Sequence, residues 1–151
     1  FWIRHIVDSL QIMEFIKGRQ VLDIGSGGGF PGMVLAIGGN FAVTCVEADI
    51  RKSIFLEEAA RLTGTIVEIK NTRIENFNSC NFDTVVARGF SSLVNLIDYV
   101  RKHSPRKYGV FLKGATIHKE LEEAGKKHMF EHAIFASQSD ERGKIVTITC
   151  R

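Results

Sequence analysis

The sequence has 151 residues, the length of a single domain, and 44% of them are hydrophobic, which is enough to bury a core. No apolar run reaches the roughly 20 residues of a membrane-spanning helix, which excludes such a span. The net charge of +3 permits nucleic-acid binding without demanding it. The three cysteines are far apart and form no Cys-x-x-Cys pair, which favours a reducing, cytoplasmic location and argues against a metal centre.

Hydrophobic periodicity predicts alternating strands and helices, which indicates an α/β fold. The predicted strands span residues 20–24, 41–46, 65–69, 82–87, 108–112, 131–136 and 145–149. The predicted helices span residues 3–17, 33–37, 49–62, 93–102 and 117–127. No helix separates the last two strands, so we expect them to be antiparallel in an otherwise parallel sheet.

Two of these helices carry apolar side chains that we expect to face the core. In the first helix the stripe consists of Ile3, Ile6, Val7, Leu10, Met13 and Ile16. Its more polar side carries Arg4, His5 and Asp8, which either are solvated or line a ligand site. In the helix over residues 49–62, the residues predicted to point inward are Ile50, Ile54, Phe55 and Leu62.

The first strand leads into the most informative stretch, residues 25–32, with the sequence Gly-Ser-Gly-Gly-Gly-Phe-Pro-Gly. A glycine-rich turn between a strand and a helix lets backbone N–H groups approach a nucleotide-like ligand. Gly27, Gly29 and Gly32 match the G-x-G-x-x-G spacing of dinucleotide-binding proteins, which is a weak signal by itself. A tight turn without any ligand is the alternative.

Dinucleotides and S-adenosylmethionine (SAM) are the two cofactor classes that use such a turn, and Asp23 distinguishes between them. The strand before a dinucleotide turn is normally apolar up to the first glycine, whereas here a carboxylate lies two residues before Gly25. It would repel a pyrophosphate but can hold the ammonium group of an amino-acid-like ligand. The turn therefore favours SAM and a methyltransferase over NAD and an oxidoreductase.

Parallel strands end at one edge of the sheet, where ligands bind. Glu47 ends the second strand about 20 residues after the glycine turn, where an acid binds ribose hydroxyls, although a surface carboxylate is the alternative. Arg51 and Lys52 occupy the first turn of the next helix, against its dipole, which favours contact with an external anion. Other charged residues expected near this edge are Arg73, Glu75, Arg88, Lys113, Lys119, Arg142 and Lys144.

The end of the fourth strand, residues 87–91 (Ala-Arg-Gly-Phe-Ser), bears on the acceptor. It contains no acid or amide, and Arg88 cannot accept a hydrogen bond from an exocyclic amine. A ring nitrogen such as guanine N-7 has a free lone pair and needs no general base, so that positioning is sufficient for catalysis. Phe90 is either a platform on which a base stacks or a core aromatic.

Two other patterns are not interpreted as sites. The basic run over residues 101–107 precedes a strand and therefore lies at the opposite edge of the sheet, where we expect a solvated loop. His128, Glu131 and His132 match the zinc pattern H-x-x-E-H, but they span a helix end and a strand start, so the histidines cannot share a helix face.

Taken in order, these residues resemble the bacterial RsmG (GidB) methyltransferases. The resemblance rests on residues 4–10 (Arg-His-Ile-Val-Asp-Ser-Leu), 23–32, 73–75 (Arg-Ile-Glu), 88–93 (Arg-Gly-Phe-Ser-Ser-Leu) and 112–114 (Leu-Lys-Gly). It implies a Rossmann-like class I SAM-dependent methyltransferase fold, with a seven-stranded, mostly parallel sheet, an antiparallel last strand and helices on both faces. It also implies methyl transfer from SAM to guanine N-7 in small-subunit (16S) ribosomal RNA, with that RNA or the ribosomal subunit as partner.

The expected site residues combine this resemblance with the patterns above. The expected cofactor contacts are Asp23, Gly25, Gly27, Phe30, Glu47, Ile74, Glu75 and Arg88. Arg88 and Arg73 are expected to position the reacting groups and stabilise charge. The expected RNA contacts are Arg51, Lys52, Lys113, Arg142 and Lys144.

The chain departs from the family pattern at two places. The extra N-terminal helices of the family are absent from it, so we interpret the chain as a single methyltransferase domain without that segment. Gly143 and Lys144 follow Arg142 where the family often has a histidine and an apolar run. Two alternatives stay open: a SAM-dependent methyltransferase with a small-molecule or protein acceptor, and a dinucleotide-binding oxidoreductase.

Overall fold

The computed structural model describes residues 2–151 and follows the predicted order of elements. The helices are α1 (Trp2–Gln11), α2 (Gly32–Gly38), α3 (Ile50–Thr63), α4 (Leu93–His103) and α5 (Ile117–Gly125). The strands are β1 (Gln20–Ile24), β2 (Ala42–Val46), β3 (Glu68–Lys70), β4 (Thr84–Arg88), β5 (Tyr108–Lys113), β6 (Phe130–Ala136) and β7 (Lys144–Cys150). Short 3₁₀ turns span Ile12–Phe15 and Ile74–Asn76.

Local sequence sets several of these boundaries. Asp49 begins α3, because its side chain accepts hydrogen bonds from the N–H groups of Arg51 and Lys52. Gly64 ends the same helix with a φ of 62°, a conformation that favours glycine. Ser92 caps α4, since its Oγ accepts the N–H of Asn95 at 3.4 Å.

All seven strands form one sheet in the order β3-β2-β1-β4-β5-β7-β6. The pairs β2–β3, β1–β2, β1–β4 and β4–β5 are parallel, while β7 runs antiparallel to both β5 and β6. Ile24 pairs with Val46 on one side and Ala87 on the other, so β1, β2 and β4 end at the same edge. This topology confirms the predicted fold class.

Helices cover both faces of the sheet, as predicted. On one face, buried side chains of α4 and α5 belong to the same hydrophobic cluster as Leu22 and Ile24 of β1. On the other face, Leu35 of α2 and Leu56 of α3 pack against Val21 of the same strand. Because alternate residues of β1 point to opposite faces, both faces are apolar, which is typical of a central parallel strand. Within residues 2–151, no helix is long and apolar enough to cross a membrane.

The orientation predicted for α1 is wrong. Ile3 is 79% exposed, and Ile6 and Leu10 are also exposed, whereas His5 and Asp8 are buried. The helix turns its polar face inward because that face makes hydrogen bonds to β4 and to the loop over residues 137–144. These three apolar side chains are left on the surface as a consequence, whereas Met13 and Ile16, which follow α1 in the predicted stripe, pack against the core as expected.

The orientation predicted for α3 is also wrong. The four apolar side chains expected to point inward are between 49% and 71% exposed: Ile50, Ile54, Phe55 and Leu62. The helix instead buries Ser53 and Leu56 and partly buries Ala59 and Ala60. Small side chains let a helix approach the sheet closely, and a search for the largest apolar side chains overlooks such a face.

Candidate cofactor and acceptor site

The glycine-rich turn follows β1 and is held to the end of β2. The N–H of Gly25 donates to the carbonyl of Val46 at 2.9 Å. Gly25 and Gly27 have φ values of 69° and 49°, in the left-handed region where any side chain is strained. A Cβ on Gly25 would also lie 2.9 Å from Cγ of Phe90. The turn therefore needs glycine both for its backbone and for the ring that lies over it.

Asp23 lies beneath this turn and is fully buried. Its Oδ2 accepts the N–H of Gly32 at 2.8 Å, which ties β1 to the start of α2. Burial raises the pKa of this carboxyl group to about 7, because a dry environment disfavours the charged form. Its buried Oδ1 accepts no hydrogen bond from any residue in the range 2–151. An unpaired buried acceptor of this kind fits the ammonium group of SAM.

Glu47 reaches from the end of β2 back to the glycine turn. Its Oε1 accepts the N–H of Gly27 at 2.8 Å, and its Oε2 accepts the N–H of Asp49 at 2.9 Å. The side chain is buried, which excludes the alternative of a surface carboxylate. It stands at the predicted position for an acid that binds ribose hydroxyls.

A cavity of about 140 Å³ opens beside the turn, and we call it the cofactor cavity. Its lining residues are Gly25, Val46, Glu47, Ala48, Thr72, Arg73, Ile74, Glu75 and Phe90. Ile74 is buried and provides an apolar surface, while Arg73 and Glu75 are exposed and form an ion pair of 3.6 Å. The half-exposed Phe90 ring lies edge-on to Tyr99, with centroids 6.4 Å apart. An acid, an apolar surface and an aromatic ring around one cavity are the groups that hold a nucleoside.

Arg88, at the end of β4, is held by α1. Its Nη2 lies 3.5 Å from Nε2 of His5, and the His5 ring packs against Phe30 of the glycine turn with centroids 5.2 Å apart. Burial, together with the charge of Arg88, lowers the pKa of His5, so the neutral imidazole accepts a hydrogen bond from the guanidinium group. His5, on the polar face of α1, is therefore buried beside Arg88 and not solvated.

A second cavity of about 210 Å³ adjoins Arg88, and we call it the acceptor cavity. Its lining residues are Arg4, Asp8, Arg88, Gly89, Leu112, Lys113, Gly114, Ser137, Asp140, Arg142, Gly143 and Lys144. Arg88 and Gly89 line this cavity and the next residue, Phe90, lines the cofactor cavity, so the two are neighbours. The predicted residues Arg88, Arg142 and Lys144 therefore meet in one place.

Sequence reasoning missed the contacts that hold α1 against the loop over residues 137–144. Asp8 Oδ1 accepts hydrogen bonds from the hydroxyls of Ser137, at 2.9 Å, and Ser139. Arg4 forms an ion pair with Asp140 of the same loop. Asp8 and Ser137 are 129 positions apart, so no local pattern could pair them. The one available signal was the group of polar residues on one side of the first helix.

The structure contradicts the predicted RNA contact of Lys113. Its side chain is only 6% exposed, and its Nζ lies 2.9 Å from Oε1 of Glu120 and donates to the carbonyl of Ser91 at 2.7 Å. The ammonium group is thus neutralised inside the fold, where it links β5 to α5 and to the segment after β4. Its charge is not presented to a phosphate.

The other four predicted RNA contacts keep their charges near the surface. Arg51 and Lys52 are exposed in the first turn of α3, and their side chains form no ion pair within residues 2–151. Arg142 is exposed and Lys144 is partly buried at the rim of the acceptor cavity. The first pair follows the end of β2 in the chain, and the second pair lies at the start of β7.

The basic run over residues 101–107 is less solvated than predicted. His103 is fully buried, with Nδ1 2.6 Å from the carbonyl of Ser79, and burial lowers its pKa. Arg101 donates to the carbonyls of Met129 and Arg151. The run therefore holds the opposite edge of the fold together. His128, from the zinc-like pattern, lies 3.2 Å from Asp98, and no cluster within residues 2–151 could hold a metal ion.

A larger cavity of about 500 Å³ lies over β1, β2 and β3, away from this site. Its lining residues are Gln20, Ala42, Val43, Thr44, Ile66, Val67, Glu68, Lys70, Phe77, Ser79, Asn81 and Phe82. It contains none of the predicted site residues and no residue of a helix. The two smaller cavities hold the converging charged groups, so we place the site there despite their size.

Solved structures of SAM-dependent methyltransferases share this fold. Magnesium protoporphyrin IX methyltransferase from Synechocystis, solved with bound SAM, aligns over 99% of this chain and 81% of its own, with a TM-score of 0.76 and 14% identity. Ribosomal protein L11 methylase from Lactobacillus delbrueckii aligns over 98% and 77%, with a TM-score of 0.74 and 20% identity. At these identities the likeness shows the fold alone, and it is the predicted Rossmann-like fold.

The family follows from the sequence comparisons. The family model of GidB, described as rRNA small subunit methyltransferase G, matches residues 1–145. Ribosomal RNA small subunit methyltransferase G of Rickettsia typhi is 40% identical over 151 residues, covering 98% of this chain and 78% of the relative. The protein of the same name from Rickettsia bellii is 40% identical over 152 residues, covering 99% and 78%. The chain belongs to the GidB family, which confirms the predicted resemblance.

Proposed function

We propose that the protein transfers a methyl group from SAM to N-7 of a guanine in small-subunit (16S) ribosomal RNA. Family membership supports the class of acceptor, because the relatives are named as small-subunit rRNA methyltransferases. The position of Arg88 between the two cavities supports a ring nitrogen as the acceptor atom. Its guanidinium group offers only hydrogen-bond donors at the end of β4, where an amine acceptor would require a hydrogen-bond acceptor.

The cofactor cavity supports a division of roles among the predicted residues. Glu47 is assigned to the ribose hydroxyls, and Ile74 with Glu75 to the adenine. The amino-acid end of SAM is assigned to the backbone of Gly25 and Gly27, to Phe30 and to the buried Asp23. Together with Glu47, Ile74 and Glu75, these residues are the proposed cofactor contacts. When SAM is bound, its sulfonium supplies the methyl group, and the N-7 lone pair displaces S-adenosylhomocysteine.

The chain's own contribution to the reaction is positioning and charge. N-7 carries no proton, so no general base is needed, and Arg88 orients the acceptor by donating hydrogen bonds. His5 holds Arg88 in place through its neutral ring. Arg73, at the rim of the cofactor cavity, is proposed to contact SAM or an RNA phosphate.

The exposed cations support binding to a polyanion. We assign phosphate contacts to Arg51, Lys52, Arg142 and Lys144, and we propose that the ribosomal RNA or the small subunit is bound in the cytoplasm. Contacts of this kind release counterions, so RNA affinity should fall as salt rises.

The proposal is tested by transfer of labelled methyl groups from SAM to small-subunit RNA and to small subunits from a strain that lacks the modification. The expected product is 7-methylguanosine at one position, with large-subunit RNA as the unlabelled control. Label on a different base, or on protein, would contradict the proposed acceptor. A parallel reaction with the Arg88→Ala variant excludes labelling by a contaminating enzyme.

A further inference from the structure

Asp8 is a buried carboxylate in the acceptor cavity to which the proposed function gives no role. The residue is 7% exposed, and its Oδ1 accepts hydrogen bonds from Ser137 and Ser139. Its Oδ2 accepts no hydrogen bond from the part of the chain that the structure describes. This oxygen is not among the fully buried polar atoms that lack a partner, so it is open to a ligand in the cavity.

Arg88 lines the same cavity with the opposite charge. The carboxylate of Asp8 raises the pKa of Arg88, although burial of the guanidinium group has the larger, opposite effect. The two groups therefore interact through space, yet no ion pair joins them among residues 2–151. The cavity of about 210 Å³ is several times the roughly 30 Å³ of one water molecule. A carboxylate and a guanidinium group that line one cavity without pairing fit a flat ligand with donors at one edge and an acceptor next to them.

Guanine has that arrangement on its Watson–Crick edge. Its N1–H and N2–H groups are adjacent donors, and the carbonyl O6 next to them is an acceptor. We propose that Asp8 accepts hydrogen bonds from N1–H and N2–H of the target guanine while Arg88 donates to O6, so that Asp8 selects guanine over the other bases. Adenine would direct the N1 lone pair at the carboxylate and leave it unpaired. This inference rests on the proposed function, since it names the residue that chooses the base in the same site.

Asp8 also has an effect on the reaction itself. Methylation at N-7 gives the guanine ring a positive charge, which makes N1–H and N2–H better donors. The hydrogen bonds to the carboxylate therefore strengthen as the N-7–carbon bond forms and the sulfur–carbon bond breaks. No proton is transferred in this step. Loss of its charge should lower kcat as well as the affinity for guanine.

A purely structural role for Asp8, which holds α1 to the loop over residues 137–144, makes a different prediction. Asp8→Asn keeps an oxygen that can accept from Ser137 and Ser139, so the contact between α1 and the loop is preserved. The new amide N–H groups, however, face the donors of guanine and cannot accept from them. A structural role predicts little change in base selection, whereas direct recognition predicts its loss.

The test measures dissociation constants of GMP, IMP and AMP by NMR titration of the protein saturated with S-adenosylhomocysteine. IMP differs from GMP only by the missing N2 amino group. We expect the wild type to bind GMP about tenfold more tightly than IMP and AMP, the size expected for a hydrogen bond to a charged group. Asp8→Asn should reduce the GMP-to-IMP ratio to about one. No preference for GMP in the wild type, or an unchanged ratio in the variant, overturns the proposal.

Asp140→Asn is the matched control, because it removes the same charge from the same cavity. Both oxygens of Asp140 are already engaged, by Arg4 and by the N–H of Arg142. Its GMP-to-IMP ratio should equal that of the wild type, and an equal loss in both variants would overturn the proposal as a general charge effect. The affinity for S-adenosylhomocysteine shows whether each variant is folded. The absence of a GMP preference in the wild type would overturn the proposal without any variant.

Methyl transfer to small-subunit RNA separates this inference from the proposed function. If Asp8→Asn methylates the same guanine with wild-type kcat, the inference fails and the proposed function stands. If the wild type labels no guanine, the proposed function fails, and the nucleotide titration still decides whether Asp8 recognises guanine.

Discussion

The two cavities of the site are built in different ways. The lining of the cofactor cavity comes from residues 25–90, and the hydrogen bond between Gly27 and Glu47 beside it spans only 20 positions. The acceptor cavity joins α1 to the loop over residues 137–144, and its hydrogen bond between Asp8 and Ser137 spans 129 positions. The first cavity depends on backbone geometry, the second on charged side chains that meet from the two ends of the chain.

This difference predicts how substitutions act. Changes at the glycine turn should disturb folding and cofactor binding together, because a strand, a turn and a helix are fitted to one another. Changes in the acceptor cavity should reduce methyl transfer or RNA binding while the fold and the SAM affinity persist. The following predictions test that separation, from the largest expected effect to the smallest.

Gly32→Ala should have the largest effect. The new Cβ would lie 2.8 Å from Cβ of Asp23, which is fixed in β1 and cannot move away. We expect a loss of about 3 kcal/mol in the free energy of unfolding, together with loss of SAM binding. Urea denaturation and calorimetric titration with SAM measure the two effects. Gly125→Ala is the control, because a Cβ there meets no atom within 4 Å; equal stability of the two variants would contradict the prediction.

Arg88→Ala should separate catalysis from folding. We expect methyl transfer to fall about 100-fold or more, because a donor that stabilises the reacting groups is removed. The melting temperature should change little, since the half-buried side chain contributes little to the core. Arg106→Ala, at the opposite edge of the sheet, is the control for a lost arginine and its ion pair with Asp83. Unchanged turnover in Arg88→Ala would remove this residue from the proposed site.

The affinity for SAM should depend on pH through Asp23. The pKa of this carboxyl group is about 7 in the free protein, so below that pH it must lose a proton before it can pair with an ammonium group. SAM affinity should therefore fall as the pH decreases from about 7 to about 5, by up to about tenfold per unit. Calorimetric titrations across this range measure the effect. Asp23→Asn should bind more weakly and without this dependence; a flat profile in the wild type would show that Asp23 does not pair with the cofactor.

Arg51→Ala and Lys52→Ala should have the smallest effects. Each exposed cation contributes about one phosphate contact, so each change should reduce the slope of log affinity against log salt by about one while SAM binding persists. RNA titrations at several salt concentrations measure the slope. Lys113→Ala is the comparison, because its buried ammonium group should affect stability and not the salt slope. A smaller slope in Lys113→Ala would restore this residue as an RNA contact.

The helices show where prediction from sequence succeeds and where it fails. The helix predicted over residues 93–102 begins where α4 begins, and the cap Ser92 sets that start because it acts within one turn of the chain. The inward faces of α1 and α3 were predicted wrongly from their apolar residues. In α1 the partners of His5 and Asp8 decide the orientation, and in α3 small residues such as Ser53 face the sheet. Periodicity locates a helix, but the surface it packs against selects its buried face.

The sequence by itself determined the succession of strands and helices along the chain, the glycine turn, and the places of Asp23 before that turn and Glu47 after β2. These features depend on local backbone preferences and on the rule that parallel strands end at a common edge. Only the tertiary structure decided that Lys113 is neutralised by Glu120, and that Asp8 joins the loop over residues 137–144 beside Arg88. Those contacts form between segments distant in the chain, and their energies depend on burial and charge that exist only once the sheet has brought the segments together.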